Sequence, residues 1–149
     1  MTESELKAAA ACMLGRRAMS AGELIKKLME KGADENQANY AAAWLTDIGA
    51  LNDKNYARAL IHRLQARGYG AYRVEGELKR RLIEPGTICE VMDEGGQDER
   101  LIDREIEKRM RGKPCERIQL KKLSDALYRR GFGWEEINAA IKRYSEETD

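Results

Sequence analysis

Apolar residues return along this chain at intervals of three and four positions, in short blocks punctuated by glycine, which predicts a succession of amphipathic helices. Thr2 and Glu5 stand in capping-box spacing ahead of a helix carrying Leu6, Ala10, Met13 and Leu14, closed by Gly15 and the Arg16-Arg17 pair. Ser20 and Glu23 open a second helix through Leu24, Ile25, Leu28 and Met29, with Gly32 where a left-handed cap is needed. Asp34 and Gln37 open a third, whose face of Ala38, Ala41, Ala42, Leu45 and Ile48 runs to Gly49.

The unit then recurs. Asn52 or Asp53 caps a helix carrying Tyr56, Leu60, Ile61 and Leu64 that ends near Gly68 and Gly70, and the next runs through Val74, Leu78 and Leu82. A pattern L-x-x-x-L-x-x-x-G links Leu24, Leu28, Gly32 with Leu78, Leu82, Gly86 and with Leu123, Leu127, Gly131, in copies 54 and then 45 residues apart. Six positions past each glycine stands an apolar residue: Ala38, Met92 and Ile137. A period of this length belongs to helical repeats. The expected fold is all-α, three tandem three-helix repeats forming an elongated, curved array, with repeats at 1–51, 52–96 and 97–149. Gly76 inside the fifth helix should cost about 1 kcal/mol relative to Ala. Glu84-Pro85-Gly86 replaces a plain glycine cap and leaves the geometry of the sixth helix open. The acidic stretch from Asp93 to Glu99, with Gly95 and Gly96 inside it, reads as a linker.

Composition agrees with helix: there are two prolines in 149 residues, and 36% of the chain is charged. The net charge of +1 conceals segregated blocks. Residues 1–53 sum to −2, 54–81 to +6, 84–107 to −7, 108–130 to +7 and 131–149 to −3. Cys12, Cys89 and Cys115 lack any C-x-x-C or Cys/His spacing, which predicts reduced thiols, no zinc site and a cytoplasmic protein. No stretch approaches the apolar length that crosses a bilayer, and the charged surface gives no reason to invoke more than a monomer.

Catalytic chemistry finds no foothold. The single histidine, His62, falls beside Ile61 in a helix and reads as a surface or interface residue. No phosphate-cradling glycine loop, hydrolase elbow or H-E-x-x-H occurs, so no catalytic residue, metal or cofactor is expected.

The positive blocks are the candidate site. Arg58, Arg63, Arg67, Arg73, Lys79, Arg80 and Arg81 fall in helices four and five; Arg117, Lys121, Lys122, Arg129 and Arg130 fall in helix eight and at its end. Few acidic residues interrupt either block, and pairs such as Arg63/Arg67 and Arg117/Lys121 share a helix face. A cationic ridge on each repeat would face phosphates or an acidic protein groove. Solvated helix faces offset by the acidic block are the plainer alternative. Tyr128, Phe132 and Trp134 bracket the last turn of helix eight and are expected to pack the third repeat, leaving Tyr69 and Tyr72 as the available rings. No recognition helix for sequence-specific duplex reading stands out.

The segment from Asp53 to Arg63, D-K-N-Y-A-R-A-L-I-H-R, followed by Arg67-Gly68, Gly70, Arg73 and Glu77-Leu78, resembles the middle repeat of the RecX family. Ser20 to Leu28 and Gly49 to Asp53 resemble the family's first repeat and its junction. Lys121 to Leu123, Leu127 to Phe132 and Trp134 to Ile137 are similar to the closing repeat. The stretch from Glu84 to Cys89 departs from the family pattern. The resemblance covers nearly the whole chain. It implies a non-catalytic regulator that binds the RecA filament on single-stranded DNA along its groove, suppressing ATP hydrolysis, strand exchange and filament extension. The alternative is a helical-repeat module that binds DNA directly without RecA.

Overall fold

Capping boxes set the first three helices as the residue spacing predicts. A computed structural model describes residues 1–94 and 98–148, and among these it holds nine α-helices and no strand. They are α1 (Glu3–Arg16), α2 (Ala21–Glu30), α3 (Glu35–Asp47), α4 (Asp53–Ala66), α5 (Ala71–Arg80), α6 (Pro85–Glu94), α7 (Glu99–Met110), α8 (Arg117–Arg129) and α9 (Trp134–Thr148). Thr2 Oγ1 accepts the Glu5 N–H at 3.1 Å while Glu5 accepts the Thr2 N–H at 3.3 Å. The Ser20–Glu23 and Asp34–Gln37 pairs close the same reciprocal box. Each satisfies two donors that the helix start leaves unpaired.

The second helix of each triplet ends in one shared device. At α2, the Gly32 N–H donates to the Met29 carbonyl and the Ala33 N–H to Leu28. At α5, Leu82 donates to Lys79 and Ile83 to Leu78; at α8, Gly131 donates to Tyr128 and Phe132 to Leu127. The left-handed residue is therefore Gly32 (φ +107°), Leu82 (φ +59°) and Gly131 (φ +97°). The residue after it, Ala33, Ile83 or Phe132, is buried.

This overturns the register read for the middle repeat. Leu82 and Gly86 are one helical turn too late: Leu28, Leu78 and Leu127 are equivalent, at spacings of 50 and 49, and Val74 matches Leu24 and Leu123. Leu82 is half-exposed and sits outside α5, while Gly86 lies in the first turn of α6. Pro85 opens that helix, a position whose N–H would be unpaired in any case. Ile88 is the buried counterpart of Ala38 and Ile137, and Met92 is only partly buried. A leucine at left-handed φ is strained by the crowding of its Cβ against its own carbonyl, at about 1–2 kcal/mol. Leu82→Gly is therefore expected to raise stability by about 1 kcal/mol, read as a rise of a few degrees in the thermal midpoint. An unchanged or lower midpoint would contradict the strain.

The chain forms two compact units, Met1–Leu60 with Leu78–Val91, and Ile61–Glu77 with Met92–Asp149. In the first, α1, α2 and α3 pack pairwise around Leu6, Met13, Leu24, Leu28, Ala38 and Leu45. In the second, α7, α8 and α9 pack around Ile102, Ile106, Leu123, Leu127, Phe132 and Ile137. The division runs through α4, α5 and α6, so the middle triplet contributes to both units. Of the expected linker, Gly95 and Gly96 lie outside the described residues, Asp93 and Glu94 finish α6, and Asp98 caps α7.

Each unit contains a joint in which the start of one helix meets the end of the next triplet's equivalent. In the first unit the Ser20 hydroxyl donates to the Arg81 carbonyl beyond α5, and Gly22 lies so close to Leu82 that an added Cβ would meet the Leu82 carbonyl oxygen at 2.6 Å. In the second, the Gly70 N–H donates to the Arg130 carbonyl at 2.8 Å and the Tyr72 N–H to the Gly131 carbonyl at 3.0 Å. In the second joint, donors that a helix start leaves unpaired thus meet acceptors that a helix end leaves unpaired.

Candidate interaction surface

The two joints decide what the positive residues can do. In the first unit Arg81 is turned inward. Its guanidinium donates to the Tyr56 hydroxyl at 3.2 Å, and that hydroxyl donates to Glu23 at 3.1 Å. Asp53 accepts the Ala21 N–H at 2.8 Å beside them. Burial pushes the Asp53 carboxyl above the usual range against the pull of that N–H, with Glu84 and Glu23 adding to the rise. Burial, then the Glu23 charge, likewise raises Tyr56. Arg81 therefore fastens α2 to the end of α5. Lys79 and Arg80 remain exposed on the last turn of α5, and Arg58 is exposed on α4, where it donates to Asn55.

In the second unit the structure draws two of the candidate arginines over one ring. The guanidinium carbons of Arg73 and Arg130 lie 4.8 and 4.9 Å from the centroid of Tyr69. Arg130 also donates to the Arg67 carbonyl at 2.7 Å, at the open end of α4. Tyr69 is thus engaged rather than available. Arg63, Arg67, Arg117, Lys121, Lys122 and Arg129 are exposed, and Lys122 shares a shallow hollow with Arg109 and Lys113. Arg109 is held by the buried carboxylate of Glu105 at 3.1 Å, and Glu105 in turn packs against Gly68, where an added Cβ would meet its Oε2 at 2.4 Å.

The aromatic expectation is corrected. Phe132 is core, but Tyr128 and Trp134 are half-exposed and stack on one another, centroids 4.5 Å apart and planes 11° from parallel. With the exposed Tyr72 they line a groove of about 500 Å³ rimmed by Arg73 and Arg129. The left-handed turn at Gly131 reverses the chain, bringing Trp134 at the start of α9 over Tyr128 on α8; spacing along a single helix does not reveal that pairing. His62 is exposed on α4. Among the described residues no group of three or more His, Cys, Asp or Glu could hold a metal, and no helix is long and apolar enough to cross a membrane.

Known proteins place this arrangement. Residues 52–92 match the model of the second three-helix domain of RecX, and residues 97–141 that of the third. The regulatory protein RecX of Stenotrophomonas maltophilia K279a is 32% identical over 132 residues, covering 87% of this chain and 81% of that protein. The chain belongs to the RecX family. The regulatory protein RecX of Halorhodospira halophila is 28% identical over 143 residues, 95% of this chain and 89% of its own length. The crystal structure of RecX from Lactobacillus salivarius superposes with a TM-score of 0.79 at 19% identity, each chain covered to 95%. A second crystal structure of a regulatory protein RecX gives 0.75 at 18% identity, covering 95% of this chain and 71% of the other. The all-α helical-repeat fold is accordingly the fold of the RecX family.

Proposed function

We propose that this RecX protein inhibits the RecA recombinase by binding the RecA filament on single-stranded DNA along its groove, slowing ATP hydrolysis and strand exchange and stopping filament extension. The observation that carries this reading is the repetition of an exposed cation at one structural position. Arg80 and Arg129 both stand two residues before the left-handed cap of their helices, 49 residues apart. A module that repeats its contact suits a partner that repeats its protomers, because the second contact forms at the high effective concentration set by the first. Further contacts in this reading are Arg58 and Lys79 in the first unit, and Arg63, Arg67, Arg73, Arg117, Lys121, Lys122 and Arg130 in the second. Their charge speeds encounter with the filament and makes binding salt-sensitive.

The test is RecA ATP hydrolysis on single-stranded DNA as the protein is titrated in. Inhibition well below the RecA concentration means capping of growing ends, and inhibition near equal concentrations means groove occupancy; either supports the regulator. Arg80→Glu with Arg129→Glu should raise the concentration for half-inhibition by about tenfold or more while helicity stays unchanged. No effect on RecA, together with salt-sensitive binding to bare DNA, would replace this reading with a module acting directly on nucleic acid.

A further inference from the structure

Solvent-facing aromatic rings gathered in one place are a cost that a folded surface rarely carries without a ligand. Tyr72 is 70% exposed, Tyr128 53% and Trp134 47%, and all three line the groove between the start of α5 and the α8–α9 turn. Tyr72 is pressed against that turn, where a Cβ on Gly133 would lie 3.0 Å from its ring. The Tyr128–Trp134 stack is nearly parallel, the geometry in which a further flat ring adds to the pile. Arg73 and Arg129 rim the groove, and the Tyr69 ring holds the Arg73 guanidinium in place.

We infer that this groove is a stacking site for single-stranded nucleic acid, in which an unpaired base lies on the Tyr128–Trp134 pair while Arg73 and Arg129 take the flanking phosphates. The chemistry favours a strand over a protein anchor. Phe132, the one wholly apolar ring in the lining, is spent in the core at 2% exposure, so the groove offers flat ring faces and cations instead of an apolar pit. Every base has a π-face and every linkage a phosphate, so such a site binds strands with little sequence preference. A paired base in a duplex has no free face to offer. The site does not require RecA, so it can be tested without it.

The full chain carries two tryptophans, and a Trp44→Phe variant leaves Trp134 as the only indole. Titration with a thymidine oligomer of about 12 nucleotides should quench Trp134 emission, and an abasic oligomer of equal length and charge should bind roughly tenfold more weakly without the quench. Tyr128→Ala and Trp134→Ala should each weaken thymidine binding by about tenfold with helicity retained, and Trp134→Phe should keep most of it, since a ring remains. Equal affinity for the abasic strand, or no change in Trp134 emission on saturation, would overturn the site whether or not the alanine variants fold. RecA inhibition lost in Trp134→Ala while bare-strand binding is unaltered would make the occupant a protein surface and would equally overturn it.

Discussion

Gly131→Ala is expected to destabilise the second unit by about 2–4 kcal/mol, the sum of a left-handed-backbone cost and an overpacking cost. Gly131 sits at φ +97°, and an alanine Cβ there would meet the Arg73 Cβ at 2.4 Å and its backbone nitrogen at 2.5 Å. Neither neighbour can retreat cheaply, because the Gly70 and Tyr72 N–H groups are bonded to the Arg130 and Gly131 carbonyls across the same joint. Gly32→Ala is the matched control. Its φ is +107°, but the space around it is open, so only the backbone cost of about 1 kcal/mol should appear. Urea unfolding of both variants separates the two contributions, and equal losses would mean that the α5–α8 joint is not closely packed. The first joint obeys the same rule with the roles exchanged: Leu82 carries the side chain and Gly22 opposite it has none. Each joint needs a glycine on one side for two helix ends to come within hydrogen-bonding reach.

The second large effect is a contrast between two leucines four residues apart. Leu78→Ala should cost about 2–5 kcal/mol, the range for truncating a fully enclosed leucine, since Leu78 is 0% exposed. Leu82→Ala should fall within about 0.5 kcal/mol of the parent, because Leu82 is 45% exposed and the replacement keeps the same left-handed strain. Leu127→Ala, the equivalent of Leu78 in the third triplet, should behave like Leu78. Comparable losses at Leu78 and Leu82 would restore the register in which Gly86 is the cap.

That register shows where pattern reading stops. L-x-x-x-L-x-x-x-G fits the residues at 78, 82 and 86 as well as it fits 24, 28 and 32, since one apolar stripe repeats every turn and a slip of four residues leaves it intact. Only the position of the chain reversal breaks the tie, and at Leu82 the usual glycine marker is missing. The aromatic surface was hidden for a related reason. Tyr128 and Trp134 lie six residues apart across a left-handed turn, a separation that is on no common helix face, so their stacking depends on the angle between α8 and α9. Arg81 looks in sequence like its neighbour Arg80, yet the joint with α2 draws it onto Tyr56.

Residue order alone determined what is local in this chain: among the described residues, nine helices, three capping boxes and glycine stops at 32, 49, 68 and 131, together with a repeat and blocks of one charge. These follow from interactions within one or two turns, which a short window of residues contains in full. The tertiary structure decided which helix end meets which helix start, which arginines are held inside and which face solvent, and which rings are left uncovered. Those outcomes turn on close approach between segments about 60 residues apart, as between Ser20 and Arg81 or Gly70 and Arg130, where a single absent Cβ sets the fit.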